Sequence, residues 1–355
     1  MSFRALRVLV PVAFAMAVLP AAPAVAAPAA SDGAIVDVTP TTSTLDASKR
    51  HEEFFTVSFQ AEANETRFVA TDLVIEDAKK TAPSELYVGV TLSCTSPSGV
   101  VSSAGTGRNV WPAAPDFAIP VGFVLNTDVA GTYNCQADVM MCDPGNCESP
   151  TGKGVVSIVT QKMNPKQYSL LYVSTALPAW ADAVEVPAKK DLLIKAGQSQ
   201  TLTTTFDVGE ALPDAVRIGA LLSMTNCIEK SYPEACAKAG KTAIKGSSTV
   251  SLSLTLTQVA TQSGVTCATA KATATTGART NRITWQQHHA VEAVYVPVFD
   301  LVDTPGCGTQ VQAALTVKVG KGNAVVIEPG TKGKARSVMY VIPGDVFPLY
   351  PTGRD

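Results

Sequence analysis

The sequence has few of the residues on which most enzymes and nucleic-acid-binding proteins depend. It contains only three histidines, charged residues make up 16% and aromatic residues 6% of the chain, and the formal net charge is −2. A nucleic-acid-binding surface needs a clear excess of lysine and arginine. A histidine relay needs an imidazole held by a carboxylate beside a nucleophile. The composition therefore argues against nucleic acid as a partner and against a histidine-dependent enzyme.

The three histidines do not form a recognisable catalytic or metal site. His51 lies in a polar run, and His288 and His289 follow Trp285 in a segment whose pattern predicts a polar loop between two strands. Neighbouring residues of a strand point to opposite faces, so two adjacent histidines are poorly placed to share a metal. The functional alternative is a loop that contacts a ligand or a surface metal.

Other signals of cofactor or substrate chemistry are also missing. No glycine-rich loop follows a strand and opens a helix, and the cysteines lack the short spacing of zinc knuckles. The acidic pairs Glu52 with Glu53 and Asp300 with Asp303 are interpreted as solvated residues, not as the paired carboxylates of a glycosidase. We therefore predict no cofactor, no metal and no catalytic residue, and we expect a protein that is not an enzyme.

Residues 1–26 have the pattern of a signal peptide. Arg4 and Arg7 form a short positive region, an apolar stretch follows over Val8–Leu19, and Ala24-Val25-Ala26 provides a small-residue cleavage site. The apolar stretch is shorter than the roughly 20 residues that a membrane-spanning helix needs. We expect a secreted, extracellular protein without a membrane anchor. The leader resembles those of exported proteins from high-GC Gram-positive bacteria.

The remaining chain alternates between apolar and polar residues over several segments. Phe55, Val57 and Phe59 alternate with hydroxyl and amide residues, and the same period of two recurs over Val250–Thr257 and Val311–Val319. This period is typical of antiparallel strands that bury one face. About seven strands can be drawn in each half of the chain, a number that suits sandwiches. The predicted fold class is all-β, with two antiparallel sandwich domains in tandem at residues 32–161 and 164–345 and a tail at residues 346–355.

The two predicted domains resemble each other. Leu86–Cys94 is similar to Ala215–Ser223, and the segment that begins at Val121 is similar to the one that begins at Leu252. Cys94 and Cys135 are 41 residues apart and Cys227 and Cys267 are 40 apart, taken from their numbers. These similarities favour an internal duplication.

Eight cysteines in an exported chain predict disulfides. They are Cys94, Cys135, Cys142, Cys147, Cys227, Cys236, Cys267 and Cys307. We expect one bridge between Cys94 and Cys135, and a second between Cys142 and Cys147 across a Pro-Gly turn. In the second half, the pairing of Cys227 with Cys267 and Cys236 with Cys307 competes with Cys227–Cys236 and Cys267–Cys307.

Two resemblances refine this prediction. Asp128–Cys135 resembles the tyrosine corner of immunoglobulin-like domains, in which a tyrosine two residues before a cysteine bonds back to the preceding turn. This resemblance implies immunoglobulin-like sandwiches. The spacings of Cys142 with Cys147 and of Cys227 with Cys236, together with the segment Val36–Thr42, resemble the secreted neocarzinostatin-like apoproteins. That family implies a carrier of a small molecule.

We expect the protein to bind a protein or a glycan through loops at the ends of its sandwiches, because rigid sandwiches present loops in a fixed arrangement. The best candidate loop is the predicted disulfide-closed tip Asp143, Pro144, Gly145 and Asn146. The alternatives are a small-molecule carrier and an extracellular hydrolase with a carboxylate site. Trp111, Trp180 and Trp285 are interpreted as plugs of the sandwich ends, with exposed platforms that stack on a sugar as the alternative. The threonine-rich strand faces are interpreted as solvent-exposed sheet, with ice or mineral binding as the alternative.

Overall fold

The structure is a computed structural model in which almost all described residues lie in strands or in the turns between them. The residues that it describes are 35–36, 44–46, 52–76, 86–110, 117–142, 155–158, 169–188, 190–209, 213, 215–228, 236, 238, 246–275, 289–331, 334–335 and 337–344. All of them belong to one compact unit, Asp32–Asp355. The predicted all-β class is confirmed. Within the described residues, no helix is long and apolar enough to span a membrane.

The strands fall into two series along the chain. The first series is β1 (Ile35–Val36), β2 (Thr44–Asp46), β3 (Glu52–Ala61), β4 (Thr66–Glu76), β5 (Leu86–Thr95), β6 (Val101–Val110), β7 (Phe117–Asn126), β8 (Gly131–Cys142), β9 (Val155–Ile158) and β10 (Leu170–Val173). The second series is β11 (Asp182–Glu185), β12 (Leu192–Ile194), β13 (Ser199–Asp207), β14 (Ala215–Asn226), β15 (Val250–Ala260), β16 (Thr269–Thr275), β17 (His289–Asp300), β18 (Cys307–Val319), β19 (Val325–Ile327), β20 (Gly330–Thr331), β21 (Lys334–Ala335) and β22 (Val338–Pro343).

These strands form four sheets. Sheet A has the order β1-β10-β4-β9-β2 with β7 also paired to β4, and sheet B has the order β20-β21-β6-β5-β8-β3. Sheet C has the order β11-β22-β14-β19-β12 with β17 also paired to β14, and sheet D has the order β13-β18-β15-β16. Sheets A and B enclose one apolar core, and sheets C and D enclose another. The fold is therefore a pair of sandwiches.

The same set of strand pairings occurs in both sandwiches. In the first sandwich, four strands lie side by side in the order β3-β8-β5-β6, while β4 pairs with β7, β9 and β10. In the second, the path is β13-β18-β15-β16, while β14 pairs with β17, β19 and β22. The predicted matching of Leu86–Cys94 with Ala215–Ser223 is wrong, because β5 corresponds to β15 and β14 to β4. Buried strands share a Val/Leu/Thr-rich composition, which produced that similarity.

The two sandwiches contact each other through the outer faces of sheets A and C. Phe68 and Tyr172 from sheet A pack there against Leu221 and Tyr340 from sheet C, and the rings of Phe68 and Tyr340 lie 5.3 Å apart. Gly219 permits this contact, because the Tyr340 hydroxyl lies only 2.4 Å from the position that a Cβ would take. Since both faces of sheet C are covered, β14 is buried almost throughout, although polar residues such as Arg217, Ser223 and Thr225 alternate with the apolar residues that face the core.

Two segments of the predicted second domain pair with sheets of the first sandwich. β10 pairs with β1 and β4, and the hairpin β20–β21 adds to the edge of sheet B through β6. The predicted domain boundary near Asn164, the signal peptide at residues 1–26 and the tail at residues 346–355 lie outside the described residues.

The disulfides resolve the pairing that the sequence left open. The Cys94–Cys135 bridge is confirmed, and the second half contains Cys227–Cys236 and Cys267–Cys307. Cys94 and Cys135 are direct neighbours on β5 and β8 of one sheet, whereas the immunoglobulin bridge joins two sheets. The 40-residue spacing of Cys227 and Cys267 therefore does not correspond to a bridge.

Cys142 is also disulfide-bonded, while Cys147, its predicted partner, lies outside the described residues.

The tyrosine corner predicted in the first sandwich is present. The Tyr133 hydroxyl donates to Asp128 Oδ1 at 2.7 Å and accepts from the backbone N–H groups of Asp128 at 3.0 Å and Val129 at 3.3 Å. The hydrogen bond from Ser98 lowers the pKa of the Asp128 carboxyl most, and the hydrogen bond from Tyr133 lowers it further. The hydroxyl thereby fixes the turn between β7 and β8.

A glutamine performs the corresponding task in the second sandwich. The side chain of Gln258 is buried and donates from Nε2 to the carbonyls of Val302 and Gly308, both at 3.0 Å. Its Oε1 accepts from the Val302 N–H at 2.9 Å. Gln258 thus fixes the connection between β17 and β18, which is equivalent to the turn that Tyr133 holds.

Candidate functional site

Most of the site residues predicted from the sequence lie outside the described residues. These include the predicted disulfide-closed tip Asp143, Pro144, Gly145 and Asn146, the histidines His51 and His288, and the tryptophans Trp111 and Trp285. Trp180 is described, and it packs half-buried against the core of the second sandwich and against the contact between the sandwiches. Asp300 and Asp303 are exposed near the end of β17.

His289 lies in a cluster that joins the two sandwiches, so its interpretation as part of a polar loop is wrong. It is the first residue of β17, and its backbone N–H donates to Asn109 Oδ1 on β6 at 2.7 Å. Its Nδ1 lies 2.7 Å from the Thr225 hydroxyl, which also bonds to the Glu328 carboxylate. The pairing of β17 with β14 places Thr225 directly beside His289. The sequence carried no signal for this cluster, because its members come from four distant segments.

The order of groups in this cluster differs from that of a catalytic relay. In a relay the imidazole lies between the nucleophile and the carboxylate. Here the Thr225 hydroxyl lies between His289 and Glu328, and the Nδ1 of His289 is 3.8 Å from Glu328 Oε1. Thr225 is fully buried and Glu328 is 5% exposed. The cluster therefore acts as a polar cross-link between strands of different sheets, because buried polar groups need partners of this kind.

A cleft at the contact between the sandwiches is too small to favour a carrier. The volume open to a ligand is about 10 Å³, and its walls include Thr106, Pro120, Leu221 and Val338. Sites for drug-sized molecules usually measure about 300–1,000 Å³. The expected small-molecule carrier thus gains no support from this cleft.

The outer face of sheet D carries a regular array of hydroxyl groups. Fifteen outward positions form cross-strand rows, and eleven of them are serine or threonine. The rows are Ser199–Lys318–Ser251, Thr201–Thr316–Ser253–Thr273, Thr203–Ala314–Thr255–Lys271 and Thr205–Gln312–Thr257–Thr269. We call these fifteen positions the hydroxyl face. All of them are exposed or half-buried, and none is acidic or aromatic; Asp207, beside Gln310 in the next row, is the acidic residue that borders the face.

Strict alternation explains why these residues share one face. On β15, Leu252, Leu254 and Leu256 point into the core, so the residues between them must point outward. The same alternation holds along β18, where Val311, Ala313, Leu315, Val317 and Val319 are buried. The period-two pattern was visible in the sequence. The side-by-side order of the four strands, which turns four stripes into one array, was not.

The spacing and chemistry of the hydroxyl face suit repeated, neutral contacts. Neighbouring strands lie about 4.8 Å apart and alternate residues about 6.8 Å apart, so the face measures about 14 Å by about 20 Å. Each hydroxyl can donate and accept a hydrogen bond, and threonine has a stiff side chain. Thr201 and Thr316 already share a hydrogen bond of 2.9 Å between neighbouring strands. Lys271 and Lys318 provide the two charges.

Comparisons with known proteins give distant likenesses. No family model and no curated protein matches the chain. Among solved structures, the tandem CBM22 modules of Paenibacillus barcinonensis Xyn10C match with 9% identity and a TM-score of 0.23, over 84% of this chain and 99% of that one. The VP2 subviral particle of infectious bursal disease virus matches with 11% identity and a TM-score of 0.25, over 90% of this chain and 77% of that one. These likenesses are too weak to support a function.

Proposed function

We propose that this protein is a secreted, non-enzymatic binding protein that holds a neutral polysaccharide on its hydroxyl face. The observation that carries the proposal is the array of eleven serine and threonine side chains, beyond one end of which lies the carboxylate of Asp207. A polysaccharide chain presents hydroxyl groups at regular intervals, and serine and threonine can pair with both its donors and its acceptors. The proposed surface is a sheet face, and it replaces the sandwich-end loops as the first candidate.

Rigidity supports binding at this surface. The hydroxyl face lies on a four-stranded sheet whose other face is packed into the core of the second sandwich. Threonine loses little side-chain freedom when it binds, because its branched Cβ already restricts χ1. Uncharged hydroxyls also cost less to remove from water than carboxylates or ammonium groups do. Many weak contacts on a fixed array can therefore add up along a polymer.

The disulfides support an extracellular location. Cys94–Cys135, Cys227–Cys236 and Cys267–Cys307 are bridged, and such bonds persist in oxidising compartments.

The recurrence of one set of strand pairings in both sandwiches supports an internal duplication. Within the described residues, the hydroxyl face lies on the second sandwich. The equivalent face of sheet B mixes amides and a carboxylate with hydroxyls, as in the pairs Ser58–Asn134 and Gln136–Asp138.

The test is the depletion of the mature protein from solution by insoluble cellulose, chitin and xylan. Thr203→Val and Thr255→Val remove hydroxyls from the middle of the face and keep the side-chain shape. Each lost hydrogen bond is worth about 0.5–1.5 kcal/mol, so each variant should bind about 2- to 10-fold more weakly. Thr56→Val is the matched control, because Thr56 is exposed on the outer face of sheet B.

Binding to one of these polymers that is weakened by both variants and unchanged in the control is the expected result. Equal binding by wild type and both variants would remove the hydroxyl face as the site. Absence of binding to all three polymers would overturn the proposed function.

A further inference from the structure

β13 forms one edge of sheet D, and β16 forms the other. Among the described residues, β13 pairs only with β18. The Val208 N–H donates to the Thr309 carbonyl, and the Val319 N–H donates to the Gln198 carbonyl, so even-numbered residues of this segment bond towards β18. Antiparallel pairing alternates these roles along a strand. The backbone groups of the odd-numbered residues therefore point away from the sheet: Ser199, Thr201, Thr203, Thr205 and Asp207.

This edge lacks the features that usually prevent strand pairing between molecules. Proteins protect exposed edges with proline, lysine, bulges or very short strands. β13 has nine residues in unbroken register with β18, contains no proline or lysine, and has Asp207 as its only charged residue. The topologically equivalent edge strand β3 begins with Glu52 and Glu53 and has a register shift between Glu53 and Phe55. The edge strand β3 of the first sandwich is therefore protected against pairing with another molecule, and the edge strand β13 of the second sandwich is not.

We propose that β13 pairs with β13 of a second copy of this chain across a two-fold axis. Such an interface is self-complementary when the strands run antiparallel. With the axis at Thr203, that residue meets its own counterpart, Thr201 meets Thr205, and Ser199 meets Asp207. Five outward N–H groups and five outward carbonyls on each strand can then form up to ten backbone hydrogen bonds.

The side chains on β13 suit this register. Threonine pairs across antiparallel strands are favourable, and like charges directly opposite each other are not. The single charged residue, Asp207, faces Ser199 of the other copy and not a second aspartate. The hydroxyl faces of the two copies would lie on the same side of one eight-stranded sheet, which doubles the surface available to a polymeric ligand. The pairing itself does not depend on any ligand.

The test is the molecular mass of the oxidised, mature protein by sedimentation equilibrium, with the charge variants Thr203→Lys and Thr203→Glu. The wild type should be a dimer, and each variant should be a monomer with an association at least tenfold weaker, because two like charges would meet at the axis. An equimolar mixture of the two variants should recover the dimer, because lysine then meets glutamate. Thr203→Val should remain a dimer, although it removes a hydroxyl from the hydroxyl face.

Amide hydrogen exchange tests whether the dimer forms through β13. The amides of Thr201, Thr203 and Thr205 should exchange slowly in the wild-type dimer and fast in Thr203→Lys. A wild type that stays monomeric at all concentrations, dimeric single charge variants, or an edge that exchanges fast in the dimer would each overturn the proposal. A monomer that binds polysaccharide would leave the proposed function intact, so the two failures are distinguishable.

Discussion

Replacing Gln258 tests whether one buried amide holds the connection between β17 and β18. The residue is 1% exposed, and its side chain makes three hydrogen bonds to the backbone of Val302 and Gly308. Gln258→Leu keeps a similar volume but leaves one N–H and two carbonyls without these partners. A typical buried hydrogen bond contributes about 1 kcal/mol, so the free energy of unfolding should fall by about 2–4 kcal/mol.

The assay is equilibrium unfolding in urea with the disulfides intact. Gln312→Leu is the control, because Gln312 lies exposed on the neighbouring strand β18 and its replacement should change the free energy by less than about 0.5 kcal/mol. Gln258→Glu tests separately what the two hydrogen bonds donated by Nε2 contribute to the free energy of unfolding. Its carboxylate can still accept from the Val302 N–H but cannot donate to either carbonyl, so it should be at least as destabilising as leucine at neutral pH.

A loss of less than about 0.5 kcal/mol in Gln258→Leu would refute this reasoning. It would mean that the connection between β17 and β18 finds other partners, and that Gln258 does not perform the task that Tyr133 performs in the first sandwich.

Two further predictions concern the whole molecule. Replacing Cys94 and Cys135 together by alanine should cost about 4 kcal/mol in urea unfolding, because the bridge closes a 41-residue separation, and replacing Cys227 and Cys236, nine residues apart, should cost less. Burial raises the pKa values of Tyr340 and Tyr295 at the contact between the sandwiches. Above about pH 10 the unfolded chain loses these protons first, so stability should be complete below that pH and fall as the pH rises further. Thermal unfolding from about pH 9 to about pH 12 should show this fall, and Tyr340→Phe should reduce it; an unchanged slope in that variant would contradict the assignment.

Local patterns in the sequence predicted much of the fold correctly. The alternation over Val250–Thr257 predicted both a strand and its buried face, because side chains on a strand alternate with a period of two. The Tyr133 corner and the Cys94–Cys135 bridge were also predicted, since each depends on a short motif or a single spacing. The first choice of site, Asp143–Asn146, lies outside the described residues and stays a prediction.

Features that depend on distant contacts were missed. His289 was interpreted as part of a loop, but Thr225, Glu328 and Asn109 come from separate strands and segments that only the fold brings together. The pairing of Cys227 with Cys236 stayed open for the same reason, since it depends on which chain segments meet.

The sequence by itself determined the class of fold and the polarity of each strand face, because both follow from the identity of neighbouring residues. Only the tertiary structure decided which strands lie side by side. The order β13-β18-β15-β16 unites four polar stripes into the hydroxyl face and leaves β13 at the edge. The contact between sheets A and C was likewise decided at this level, since it buries the outer face of β14. Strand order and sheet packing depend on pairings between residues far apart in the chain, and no local pattern records them.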